Sequence, residues 1–264
     1  SSAASDVYKR QILLHHRPLV VANWKMNGSK TLISDLEIGL GSSVLPSTVD
    51  IVLLPPSVYL AEVVMVAQQY GIQCGIQDSY VEEKGAFTGE ISAEMVKDVG
   101  GEWALIGHSE RREYFSEDDD LLARKFEAAV RADLRPILCV GESLEDRAQG
   151  RALEVVKKQL NSIADRVGPS FSRATVAYEP IWAIGTDQAA TPDQVKDMHI
   201  AIRRELEEID PSNGPQHRLL YGGSMQAANA STLLSIDEVD GGLIGVASLD
   251  MGEFLGIIAK AGEQ

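Results

Sequence analysis

TVAYEPIWAIGTDQAATPDQVKDMHIAIRREL, residues 175–206, holds one complete structural unit of the chain. TVAYEP is a short apolar run without alternation, the pattern of a strand buried on both faces. Thr191-Pro192-Asp193-Gln194 reads as a capping box with proline at the first helical position. The residues after it place apolar side chains at spacings of three and four, as an amphipathic helix does. A plain strand-to-helix connection needs only a few residues, yet here residues 180–190 intervene. The strand also ends in a carboxylate, Glu179, followed by Pro180. A carboxylate at a buried strand end costs desolvation unless it has a partner or a task.

The same unit recurs along the chain. Apolar runs occur at 18–23 (PLVVAN), 51–56 (IVLLPP), 72–77 (IQCGIQ), 103–108 (WALIGH), 136–142 (PILCVGE), 175–180 (TVAYEP), 218–223 (RLLYGG) and 242–248 (GLIGVAS). Amphipathic segments lie between them, among them TLISDLEIGLGSSV, SVYLAEVVMVAQQY, DLLARKFEAAVRA and LEVVKKQLNSIADRV. Ser116 before EDDD reads as a helix start with a solvated acidic first turn. Eight such units predict an α/β fold, a (β/α)8 TIM barrel in a single domain. A doubly wound open sheet fits less well, because no GxGxxG opens a helix after the first strand.

The 264 residues are 44% apolar and carry a formal net charge of −15. That charge argues against nucleic acid or an acidic membrane as partner. Cys74 and Cys139 sit in strand-like runs without metal-ligand spacing, which points to a reducing, cytoplasmic location rather than a disulfide framework. The longest apolar stretch is broken by prolines and Glu62, so no membrane span is expected. DVYKRQ, residues 6–11, matches the translation of a common transposon sequencing adapter. Residues 1–16 are therefore expected to be a non-native or disordered tail, with the domain at 17–264.

In a barrel the strand C-termini form one functional rim. Strand 1 ends in Asn23-Trp24-Lys25, strand 4 in Gly107-His108-Ser109-Glu110 and strand 6 in Glu179. Strands 7 and 8 contribute Gly222-Gly223-Ser224 and Gly245-Val246-Ala247-Ser248. His108 falls where a short helix, SERR, begins, and a helix N-terminus disfavours the imidazolium. Lys25 is a local positive charge in an acidic protein, and the glycines let backbone N–H groups approach an anion. There is no P-loop, no GxSxG and no metal-ligand cluster. A carboxylate base, a neutral imidazole and a lysine, without cofactor or metal, suit proton transfer beside a carbonyl.

The segments ANWKMNG (22–28), GAFTGE (85–90), GHSERR (107–112), AYEPIWAIGT (177–186), YGGS (221–224) and ASL (247–249) occur in one order. The chain resembles the triosephosphate isomerase family from about Pro18 to Ile258. The resemblance implies interconversion of dihydroxyacetone phosphate and D-glyceraldehyde 3-phosphate, a step of glycolysis and gluconeogenesis. It casts Glu179 as base, His108 as electrophile, and Lys25 with Asn23 as substrate-binding groups. Ser109 and Glu110 would support them. Residues 180–190 would form a mobile lid latched by Tyr221 and Ser224. Gly185, Ser224, Gly245 and Val246 would hold the phosphate. The resemblance also implies a homodimer, with Thr88 reaching the partner and Glu90 pairing with Arg111.

Three departures from the family pattern matter. The lid reads AIGTDQAA where the family has AIGTGKTA or close to it, so Asp187 and Gln188 make it more negative near an anionic substrate. Val246 stands where a second glycine is usual, and its branched side chain restricts the backbone. The expectation is a working isomerase with a weaker phosphate grip. The alternative is a catalytically weakened paralogue acting as a phosphosugar-binding or scaffold protein.

Overall fold

The computed structural model describes residues 16–184 and 189–264. Of the expected tail, only His16 is described. Gly185, Asp187 and Gln188 also lie outside the described residues.

Eight parallel strands close into a barrel in chain order: β1 (Leu19–Asn23), β2 (Asp50–Leu54), β3 (Gln73–Ile76), β4 (Trp103–Ile106), β5 (Arg135–Val140), β6 (Thr175–Tyr178), β7 (Leu219–Tyr221) and β8 (Gly241–Ile244). Strand β1 pairs with both β2 and β8, which closes the ring and leaves no sheet edge. Each expected apolar run overlaps one of these strands, and β2, β5 and β8 begin one residue earlier than expected.

Around the barrel run α1 (Lys30–Gly41), α2 (Leu60–Ala67), α3 (Ala93–Asp98), α4 (Ser109–Tyr114), α5 (Asp119–Arg131), α6 (Leu144–Ala148), α7 (Ala152–Val167), α8 (Pro192–Ile209), α9 (Ala227–Leu234) and α10 (Met251–Gly262). The capping box at Thr191 is formed: its hydroxyl accepts from the N–H of Gln194, whose side chain accepts from the N–H of Thr191.

The start of α5 differs from expectation. Its N-cap is Asp118, which accepts from the N–H of Leu121 at 2.9 Å. Ser116 lies in a left-handed turn, φ 53°, that directs Glu117 inward. Glu117 is buried and meets Lys125 at 2.6 Å and Arg111 at 2.8 Å. Asp119 meets Arg112 at 2.8 Å, and Asp120 pairs with Arg166. Glu117 thus turns into the protein, while Asp118 and Asp120 stay exposed in the helix's first turn as expected. The partners of Glu117 lie on other turns and helices, outside the reach of local pattern.

Two apolar shells result from the strand period of two. Val20, Ala22, Leu53, Ile106 and Val176 face outward against the helices. Leu19, Val21, Leu105, Cys139, Ala177, Leu220 and Leu243 fill the barrel interior. Extending the inward parity by one step reaches Asn23, Gly107, Gly141, Glu179, Gly222 and Gly245. One layer at the strand C-termini thus combines two polar side chains with four glycines.

Candidate active site

That layer floors a cavity of about 480 Å³ lined by Asn23, Lys25, His108, Glu179, Ser224 and Gly245, with Val246 at its side. The rim residues expected from strands 1, 4, 6, 7 and 8 are therefore brought together.

Glu179 is 2% exposed. Its position depends on residues that have no Cβ. A Cβ on Gly222 would lie 2.9 Å from Glu179 Cγ, and one on Gly141 would lie 1.8 Å from the Glu179 carbonyl oxygen. The glycine after β7, expected to serve an approaching anion, is thus already required by the carboxylate. Strand parity was the signal that could have located Gly141.

His108 is the N-cap of α4, and Nδ1 accepts the N–H of Glu110 at 3.2 Å. In the neutral ring the proton accordingly sits on Nε2, which lies 2.9 Å from Glu179 Oε1. Burial pulls the imidazole pKa down, but the facing Glu179 carboxylate pulls it up and prevails. Burial pushes the Glu179 pKa up, yet the facing His108 charge and the Ser109 N–H bring it below the ordinary glutamate value. The Ser109 N–H reaches Glu179 Oε2 at 2.9 Å. The expected preference for a neutral imidazole is therefore opposed while Glu179 faces the ring. Sequence alone did not show that contact, because His108 and Glu179 lie far apart along the chain.

Lys25 lies in the left-handed region, φ 52°, which costs a non-glycine residue about 1–2 kcal/mol. Its backbone is held on both sides. The Lys25 N–H donates to Asn23 Oδ1 at 3.0 Å, and Gln77 Nε2 donates to the Lys25 carbonyl at 2.9 Å. Lys25 Nζ meets Glu110 Oε1 at 2.6 Å. Strain over-determined by surrounding contacts is characteristic of functional positions. Glu110 thus touches Lys25 directly and stands 3.6 Å from His108 Nδ1.

Behind this group Arg111 is bound within its own chain, to Asp78 at 2.9 Å and Glu117 at 2.8 Å. Tyr221 is fully buried, with its hydroxyl where a Cβ on Gly223 would collide. At the start of the long loop, Glu142 was not anticipated. It is 0% exposed, and its Oε1 accepts from Trp182 Nε1 at 2.8 Å, Tyr178 Oη at 3.0 Å and Arg147 at 3.0 Å. A glutamate closing the apolar run at 136–142 was the available signal.

Among the described residues no group of three or more His, Cys, Asp or Glu could hold a metal ion. No described helix is long and apolar enough to cross a membrane.

A family model described as triosephosphate isomerase matches residues 18–261. A triosephosphate isomerase of Pseudomonas putida (strain W619) is 45% identical over 248 residues, 93% of this chain and 99% of the relative. One from Xanthomonas campestris pv. campestris (strain 8004) is 46% identical over 93% of this chain and 98% of its own length. One from Pseudomonas fluorescens is 47% identical over 93% of this chain and 99% of its own length. With the closed barrel and a rim cavity at its strand C-termini, these matches show that the chain belongs to the triosephosphate isomerase family and is an isomerase of that class.

Proposed function

We propose that the chain interconverts dihydroxyacetone phosphate and D-glyceraldehyde 3-phosphate through an enediolate, with Glu179, His108 and Lys25 as the reacting set. The carrying observation is their convergence on one cavity, with Glu179 and His108 2.9 Å apart. Glu179 removes the proton from the carbon beside the carbonyl and returns it to the neighbouring carbon. His108 donates from Nε2 to the developing oxyanion, and Lys25 supplies positive charge beside it. When substrate draws Glu179 off the imidazole, the main partner that raises the His108 pKa is lost, leaving the smaller effect of Glu110. Burial and the α4 N-terminus then favour the neutral, donating ring. Ser109 and Glu110 hold Glu179 and Lys25 respectively.

The phosphate lies against the N–H groups of Ser224, Gly245 and Val246. Gly185 would complete this cradle. Val246 keeps its N–H, and its side chain stands 75% exposed at the cavity edge. Residues 180–190 act as the lid, hinged at Pro180 beside the Trp182–Glu142 hydrogen bond, with Tyr221 and Ser224 as latch.

A homodimer accompanies this reading. Met26 is 95% exposed beside Lys25. A depression of about 370 Å³ there is lined by Met26, Gln77, Glu90 and Arg111, and a partner segment carrying Thr88 would fill it. A cytoplasmic role in glycolysis and gluconeogenesis fits the same reading.

The test is a coupled assay with dihydroxyacetone phosphate. Turnover by the folded protein is expected, with Val246→Gly lowering KM. No turnover, with thermal stabilisation by 2-phosphoglycolate retained, would leave a phosphosugar-binding protein instead.

A further inference from the structure

One wall of the cavity is acidic. Asp250 and Glu253 line it together with Ser224, Gln226, Gly245 and Val246. Both carboxylates are held in place by helix starts. Glu253 Oε2 accepts the N–H of Ala227, the first residue of α9, at 3.0 Å. Asp250 caps α10, its Oδ1 accepting the N–H of Glu253 at 2.9 Å. Helix N-termini attract anions, and a carboxylate already seated there takes up both the donor and the favourable field.

Two consequences follow for an incoming anion. It meets α9 and α10 with the chain's own negative charge in place. Its backbone donors are therefore those of the two turns between, and the N–H groups of Ser224 and Val246 donate to nothing among the described residues. We infer that Asp250 and Glu253 are specificity-determining residues that weaken binding of a doubly charged phosphate and confine it to the Ser224 and Val246 turns. This rests on the isomerase reading of the same cavity. The two carboxylates touch no reacting atom; they set how much negative charge the cradle accepts. Both side chains are exposed, so salt screens their effect.

Asp250→Asn keeps a capping side chain and Glu253→Gln keeps an oxygen acceptor for Ala227, so each removes charge with little change of shape. Kinetics with dihydroxyacetone phosphate and inhibition by inorganic phosphate, at low and high ionic strength, provide the test. At low salt each variant is expected to lower KM and the phosphate inhibition constant by about threefold, the scale of an exposed charge pair. The change should fall on KM rather than kcat, and added salt should erase it. Folded variants with unchanged constants at low salt, or with a change that salt does not reduce, overturn the inference. If the wild-type chain has no turnover, the isomerase reading fails by itself. Calorimetric titration with inorganic phosphate then decides: tighter binding by the variants supports the inference, and equal binding overturns it.

Discussion

His108 Nε2 lies 2.9 Å from Glu179 Oε1 inside the barrel rim, joining the ends of β4 and β6. Each side chain shifts the other's titration. His108 is held above its ordinary pKa by the facing carboxylate, against burial. Glu179 is held below its ordinary pKa by His108 and the Ser109 N–H, also against burial. The Glu179 contribution to stability is present above the ordinary glutamate pKa and is lost as pH falls through its lowered value. The His108 contribution is present below the ordinary histidine pKa and is lost as pH rises through its raised value. In His108→Gln the burial effect is left unopposed by an imidazolium, so the Glu179 carboxyl should titrate at higher pH. Carbon-13 NMR of the labelled carboxyl in the free protein measures this, and an unmoved titration would contradict the pairing. Glu179→Gln should lower kcat by about 10²–10⁴-fold, the range for a general base.

Gly222 tests the placement of the base without touching its chemistry. An added Cβ would lie 2.9 Å from Glu179 Cγ, too close to remain. Gly222→Ala should displace the carboxylate and lower kcat by about 10²-fold, the cost of a misplacement near 1 Å. The melting temperature distinguishes displacement from unfolding. A folded variant with native kcat would show that Glu179 is not held this way.

Glu142 anchors the start of the long loop from a site with no solvent exposure. Removing the carboxylate leaves the Tyr178 hydroxyl and the Arg147 guanidinium without this acceptor, and deprives Trp182 of its hydrogen bond to Oε1. Glu142→Ala should cost about 3 kcal/mol in urea unfolding, the lower end for breaking a buried pair. Glu142→Gln retains an acceptor and should cost less. Equal losses for the two variants would show that the hydrogen bonds contribute little.

His199, on α8, is wholly buried, with Nδ1 2.8 Å from the Glu238 carbonyl and its ring edge-on to Tyr178. Burial pulls its pKa down to about 4. The unfolded chain therefore binds this proton first, and the protein should lose stability as pH falls from about 6.5 to 4. The full effect is of order 3 kcal/mol, one pKa unit being worth about 1.4 kcal/mol. Thermal unfolding of wild type and His199→Gln across that range should show a shallower acid decline in the variant. Parallel declines would exclude His199 as a source.

The barrel was legible because its determinants are local. Unalternating apolar runs such as TVAY and the Thr191 capping box carry their instructions within a few residues, and the strand ends follow from chain order. Glu117, after Ser116, was misread as solvated because Arg111 and Lys125 meet it from elsewhere. Parity along β5 and β7 could have placed Gly141 and Gly222 beside the base, although their glycine identity explains itself only once the strands close. Sequence by itself thus determined the fold, the family and the residues presented at the rim. Only the tertiary structure decided which of them face each other: Glu179 against His108, Lys25 against Glu110, Trp182 against Glu142, Glu253 against the start of α9. The physical reason is that charge and hydrogen bonding act over a few ångströms of space, and closing the barrel sets those distances for residues far apart along the chain.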